Sequence, residues 1–403
     1  MPIIAGNGPG APVQAAHPCN APAAQSDIVT ASRASVPLVW PARYELLDGI
    51  RGVAALAVVL HHLGVGQNVQ IGHFAVMIFF VISGYCITAS LESCRRSGGG
   101  FREFMLKRVR RIYPPYILAI VFFAVTRWVK SARNPSFEFK PPFLDWVQNL
   151  TLTQWVSTLF HPVQWPSQNH KVFVLAFWSL NYEEQFYLVM GLALIVAILS
   201  RVPMIISVLA LSIVGLVWNW LIPGNWICGL FTEYWLHFAL GSTLFYVLCH
   251  FTSKAHRSAF LIIVAVLGIA CLSRVLLHTT NVLFDMRAMI ELSFLSAITL
   301  TLYFLRPLSP EISSLQLWRP FAALGAISYS LYLIHQFNLT LVDTTAHRLL
   351  PANPPQILLV MCLVALHLLL ATMFWALCER PFLRKSRKDR NELPSAREAV
   401  RTA

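Results

Sequence analysis

Asp48, Arg51, His61 and His62 lie in one apolar run, Leu46–Gly66, which reads LLDGIRGVAALAVVLHHLGVG. A helix of about 20 mostly apolar residues crosses the hydrocarbon of a bilayer. Ionisable groups inside such a span cost roughly 2.5–3.5 kcal/mol each on insertion scales and mark functional sites. Their spacing adds to this. Arg51 and His62 are eleven positions apart, so a helix sets them within about 20° of each other and about 16 Å apart along its axis. Asp48 falls about 40° from His62 on the same side, while His61 turns about 100° away. A guanidinium grips phosphate oxygens through its planar fork. A neutral imidazole takes a proton from an attacking hydroxyl and passes it to a leaving group. One helix face thus offers an anion anchor at one level and a general base at another, with Asp48 placed to orient the arginine.

The elements that carry these residues follow from composition. The chain has 403 residues, 56% hydrophobic and 12% charged, against about 25% charged in soluble domains. It reads as an all-α, polytopic integral membrane protein of the inner (plasma) membrane. The net charge of +13 is concentrated in runs such as CRRSGGGFREFMLKRVRR and ERPFLRKSRKDR beside apolar spans. That placement points to membrane topology, and no nucleic-acid partner is expected. Eight cysteines occur as singles without a CxxC, so neither disulfides nor a metal site is expected. Residues 1–40, rich in Ala, Pro and Gly, read as a disordered cytoplasmic tail, followed by a transmembrane domain over 41–383 and a basic cytoplasmic tail over 384–403. Apolar spans fall at about 46–66, 71–91, 112–130, 174–199, 202–222, 229–250, 257–277, 285–305, 321–342 and 355–378. About ten spans place both termini on one side. The positive-inside rule makes that side cytoplasmic, with a long outer loop at 131–173. The amphipathic stretch 143–160 within it suits a re-entrant or an interfacial helix.

This orientation predicts depth. His62, Glu183 and His335 come to the outer half of the membrane, whereas Arg51, the Arg108–Arg111 cluster and Glu379 gather at the inner face. The expectation is a polar corridor, cationic at the cytoplasmic mouth and lined by His and Glu further out. A donor with an anionic head and a long thin arm suits it. Acyl-coenzyme A has that shape, with phosphates at one end and a thioester at the tip of pantetheine. Glu183 and Glu184 diverge by about 100° and cannot both face one corridor. Glu183 is the expected corridor residue, there to polarise His62 or bind the acceptor. Ser328, Tyr329 and Ser330 read as interhelical hydrogen bonders, His61 as a packing or supporting group, and His335 as a supporting one.

The segments LLDGIRGVAALAVVLHHL, FFVISGYCIT, FREFMLKRVRRIYPPY, FWSLNYEEQFYL, ISYSLYLIHQ and ERPF occur in this order over nearly the whole chain after residue 40. In this the sequence resembles the type-3 acyltransferase family, integral membrane proteins that O-acylate extracytoplasmic glycans and other acceptors. The resemblance implies an Arg-x10-His motif at Arg51 and His62, with His61 at a usually apolar position. It implies acyl-coenzyme A contacts from Arg108 and Arg111, and functional roles for Trp178, Ser179, Glu183 and Glu379. Many relatives carry a further span and a fused extracytoplasmic hydrolase-like domain. Here the sequence stops soon after the tenth span, so a separate extracytoplasmic partner, or an acceptor that reaches the membrane unaided, is expected.

The reaction so implied moves an acyl group, acetyl first, from acetyl-coenzyme A or a related donor to a hydroxyl of a glycan or lipid-linked saccharide. His62 is the general base, Asp48 and Glu183 assist it, and Arg51, Arg108 and Arg111 hold the donor. A proton-coupled carrier without acyl-transfer chemistry is the competing class, since intramembrane Asp, Arg, His and Glu also line transport paths. Trp146, Trp155 and Trp165 in the outer loop suit sugar faces or an interfacial aromatic belt.

Overall fold

The computed structural model describes residues 44–134, 136–164, 172–221, 226–227, 229–251, 253–277 and 282–383. Both expected tails, and Trp165, lie outside the described residues. The apolar runs form helices, in order α1 Leu46–His62, α2 Ile71–Arg96, α3 Phe101–Arg133, α4 Phe143–Thr151, α5 Gln154–Phe160, α6 Trp178–Leu199, α7 Met204–Leu221, α8 Trp235–Cys249, α9 Lys254–Leu277, α10 Val282–Leu305, α11 Ser309–Ser314, α12 Arg319–Ile334, α13 Leu339–Leu349 and α14 Gln356–Phe374. Among the described residues the extended structure is one two-residue antiparallel pairing, β1 (Val163–Gln164) with β2 (Trp226–Ile227).

Four helical segments, Ile71–Arg96, Phe101–Arg133, Leu175–Leu199 and Gln356–Leu383, are long and apolar enough to cross a bilayer unaided. Their polarity is inverted relative to a soluble helix. On α14, Ile357 and Met361 are exposed while His367 is buried, as expected where the surrounding solvent is hydrocarbon and polar groups must find partners inside.

Two elements differ from the sequence expectation, and a third, the expected helix over 143–160, is divided. The third span extends well beyond 112–130, because α3 continues from Phe101 through Pro114 and Pro115 to Arg133. Arg108, Arg110 and Arg111 therefore project from a helix and not from a loop. The ninth span, expected over 321–342, breaks after Ile334, and His335 lies in the turn before α13. The outer loop 131–173 is partly helical. Its amphipathic stretch divides at Leu152, which holds a left-handed φ of 55°, into α4 and α5.

Two helix pairs set the positions of the functional residues. α1 packs along α12 and α2 along α8, both through glycines. A β-carbon on Gly325 would stand 1.8 Å from the Asp48 carbonyl oxygen, and one on Gly241 would stand 1.8 Å from the Val81 oxygen. The backbones touch, so the level of each α1 side chain is fixed against α12. Gly325→Leu is expected to cost at least about 3 kcal/mol by overpacking. It should lower the midpoint of thermal aggregation, followed by size-exclusion of detergent-solubilised protein. Gly100→Ala, where a β-carbon meets nothing within 4 Å, should leave that midpoint unchanged.

Candidate active site

A cavity of about 400 Å³ opens between α1, α2, α6, α12 and the end of α14. Its walls carry Asp48, Arg51, Arg111, Ser179, Glu183, Tyr329 and Glu379, seven residues marked by the sequence. They come from positions up to 331 residues apart, from Asp48 to Glu379, so the fold assembles what the chain separates.

Local structure explains each placement. Arg51 sits in the second turn of α1, and its Nη2 reaches Cys86 Sγ at 3.9 Å. Arg111 precedes Pro114 and Pro115, whose rings lack an N–H and so leave the Arg110 and Arg111 carbonyls without their intrahelical donors. Ser83 Oγ donates to Glu183 Oε1 at 2.8 Å, and the Tyr187 hydroxyl donates to the same oxygen. Glu379 ends a π-helical turn, Trp375–Glu379, a distortion common at functional sites. It accepts from Ser330 Oγ at 2.5 Å and lies in the field of Arg111 and Arg51. Two guanidiniums and three carboxylates thus face one space. Tyr329 donates to the Ile112 carbonyl at 3.0 Å, which joins α12 to α3 as its interhelical reading anticipated.

His62 is not a wall of this cavity. It closes α1, and its Nδ1 is 2.9 Å from the Val58 carbonyl. A carbonyl only accepts, so Nδ1 carries the hydrogen in the neutral ring and Nε2 carries the lone pair. The ring meets His335 edge-on at 4.9 Å between centroids. His335 is fully buried, with Nδ1 2.8 Å from the Tyr332 carbonyl. Tyr332 connects the two places: it is a wall of the cavity, and its ring centroid is 5.8 Å from that of His335. Its hydroxyl bonds Ser179 Oγ at 2.6 Å and donates to the Ala176 carbonyl. Tyr332 thus touches both the cavity and His335.

Other site expectations change as well. Glu183 partners Ser83 and Tyr187, not His62. Val174, Ala176, Phe177 and Ser179, ahead of it in the chain, are buried. Arg108 parts from Arg111. It lines a smaller cavity of about 110 Å³ with Met105, Tyr113 and Glu184, and lies 5.6 and 5.7 Å from the ring centroids of Phe104 and Tyr187. Glu183 and Tyr187 border both cavities. Trp178 packs among Phe80, Tyr182 and Tyr234 and is absent from the main cavity's walls. His61 packs against Gly72. Among the described residues no group of three His, Cys, Asp or Glu side chains is placed to hold a metal ion.

Sequence reasoning missed Tyr332 and His367, whose Nε2 is 3.2 Å from the His335 carbonyl. It also missed a His73–Glu291 pair at 2.7 Å. The signal was present in Glu291, a carboxylate in an apolar run, but its partner is 218 residues away and no local spacing joins them.

A family described as "Acyltransferase domain", the type-3 acyltransferases, matches residues 44–376. The chain belongs to this family. Its match to a family of acyltransferases weighs against the carrier reading, and family and long apolar helices together fit an integral membrane protein. Curated relatives include the Bacillus subtilis protein YrhL, assigned by name to peptidoglycan O-acetylation, 31% identical over 41% of this chain. The O-acetyltransferase OatA of Staphylococcus aureus (strain NCTC 8325 / PS 47) is 30% identical over 37% of the chain. Protein 2 in the picA locus of Rhizobium radiobacter is 39% identical over 21% of it. The matched segments span 26%, 24% and 46% of those three relatives. No solved structure matches the chain.

Proposed function

We propose that this acyltransferase moves an acyl group, acetyl first, from acyl-coenzyme A to a hydroxyl of an extracytoplasmic glycan or lipid-linked saccharide. The observation that carries the reading is the cavity in which Arg51 and Arg111 face one space with Tyr332, whose ring lies beside that of His335. Its volume lies in the roughly 300–1,000 Å³ range of small-molecule pockets. Arg51 and Arg111 hold the donor's phosphates by charge-assisted hydrogen bonds. Arg108 adds positive charge from behind Tyr187, and Asp48 and Glu379 orient the guanidiniums. The thioester points towards Tyr332 and the His62–His335 pair. His62 Nε2 removes the acceptor's hydroxyl proton as the oxygen attacks the thioester carbonyl. The O–C bond forms, the C–S bond breaks, and the departing thiolate takes up a proton. A transient acyl-enzyme is equally compatible with these side chains, since imidazole also serves as a nucleophile.

About ten spans in the inner membrane, with both termini in the cytoplasm, bring the arginines to the side where acyl-coenzyme A is made. The acceptor then meets His62 from the opposite side, alone or delivered by a separate extracytoplasmic protein. The relatives' names support a glycan acceptor. The test is transfer of radiolabel from acetyl-coenzyme A in membranes containing the chain and the cell's own glycans. Label in the glycan fraction, with matching release of free thiol, is the expected result. No label from acetyl-, succinyl- or longer acyl-coenzyme A would overturn the donor assignment.

A further inference from the structure

A second group of ionisable side chains lies outside the cavity. Glu291 of α10 bridges two helices: its Oε1 is 2.7 Å from His73 Nε2 on α2, and its Oε2 is 3.8 Å from His237 Nε2 on α8. The three side chains are 10%, 17% and 9% exposed. A carboxylate and two imidazoles are costly in a bilayer interior, and a helix tie is made at less cost by hydroxyls such as the Thr88–Ser242 pair joining the same α2 and α8.

His61 lies between this group and the proposed base, in contact with His62 and with the residue before His73. His61 meets His62 edge-on at 5.5 Å between ring centroids. The His61 ring packs against Gly72, where a β-carbon would meet its Cγ at 2.7 Å, and the next residue is His73. His61 Nδ1 is buried without a hydrogen-bond partner among the described residues, as is His237 Nδ1. All these groups lie at one end of the bundle, in the last turn of α1, the first turns of α2 and α8, and the outer half proposed for α10. They are the titratable side chains that α1, α2, α8 and α10 present to one another there among the described residues.

We propose that His61, His73, Glu291 and His237 form a proton relay that branches from His62. The relay rests on His62 acting as the base. When the acceptor's O–H bond breaks, its proton goes to His62 Nε2, then through His61 to the His73–Glu291 pair. The acyl O–C bond forms and the C–S bond breaks. The thiolate is protonated by water at the donor side, and the relay releases its proton to water at its own end, so charge and atoms balance. Without the relay, His62 keeps its proton until the thiolate takes it directly.

The discriminating variant is His73→Gln. The glutamine amide still donates to Glu291 but carries no exchangeable charge, so a tie between helices survives and a relay does not. The readouts are thiol release and acyl transfer by full-length protein in membranes, per folded molecule by fluorescence size-exclusion, from pH 5.5 to 9. The relay predicts that His73→Gln lowers kcat at least tenfold, leaves KM for acetyl-coenzyme A unchanged and alters the shape of the pH–kcat profile. Glu291→Gln should do the same, and Glu291→Asp should restore part of the loss. Parental kcat and pH profile in His73→Gln would overturn the relay, even if Glu291→Gln fails to fold. His62→Ala runs alongside: undiminished transfer there would remove the base itself, whereas an inactive His62→Ala with an unaffected His73→Gln would remove only the relay.

Discussion

His62→Ala is expected to lower acyl transfer by about 10²–10⁴-fold, the usual contribution of a positioned general base, with KM for acetyl-coenzyme A little changed. The separation follows from geometry. His62 lies outside the cavity that carries Arg51 and Arg111, so its removal leaves the donor's anionic head fully held. His62→Gln is the sharper version, since its amide approximates the ring's size and donor and supplies no basic nitrogen. It should be as inactive as alanine. His62→Gln with more than a tenth of parental kcat would assign the residue to packing against His335. The measurement is initial-rate release of free thiol, with acceptor-dependent transfer of label in parallel.

Arg111→Ala is expected to raise KM for acetyl-coenzyme A by about 10–100-fold, from the roughly 1.5–3 kcal/mol typical of a hydrogen bond to a charged group. A second effect accompanies it. Glu379 is buried between Ser330 and the two arginines, and losing Arg111 leaves its carboxylate with Arg51 as the remaining guanidinium facing it from the cavity wall. Arg111→Ala should therefore be less stable than Arg51→Ala, and adding Glu379→Gln should recover stability without recovering KM. Arg111→Lys keeps the charge but not the bidentate fork and should fall between parent and alanine. Arg108→Ala should raise KM less than Arg111→Ala, because its guanidinium stacks behind Tyr187 outside the main cavity. Equal rises in KM from Arg108→Ala and Arg111→Ala would place both in direct contact with the donor.

Helix content was plain in the sequence because each apolar run exceeds what a soluble core helix needs, and every such run contains a helix among the described residues. The Arg51–His62 register held because α1 is unbroken from Leu46 to His62. What the sequence concealed depends on packing. Periodicity marks a helix face but not which neighbour covers it, so the same arithmetic that aligned Asp48, Arg51 and His62 could not tell that Asp48 and Arg51 line the main cavity while His62 packs against His335. The break at His335 was hidden because LYLIHQFNLTLV contains no Gly or Pro; the turn is held from outside, with Gln336 Oε1 accepting from Ala176 N at 2.7 Å. Arg108 and Arg111 share a motif and lie only about 60° apart around α3, almost one turn apart along it, so helical spacing alone could not show that they would line different cavities on either side of Tyr187. Glu291 escaped notice because its partners come from two other helices.

The position of Tyr332 has a consequence for the proposed reaction. An enzyme that took one reagent from each side of a bilayer would have to avoid becoming a hole in it. An unbroken polar channel past Arg51 and His62 would conduct ions, drain the potential across the membrane and admit water to an activated donor. Tyr332 is tied to Ser179 Oγ and the Ala176 carbonyl and touches both the cavity and His335. On the proposed two-sided reaction it is the side chain placed to limit such leakage.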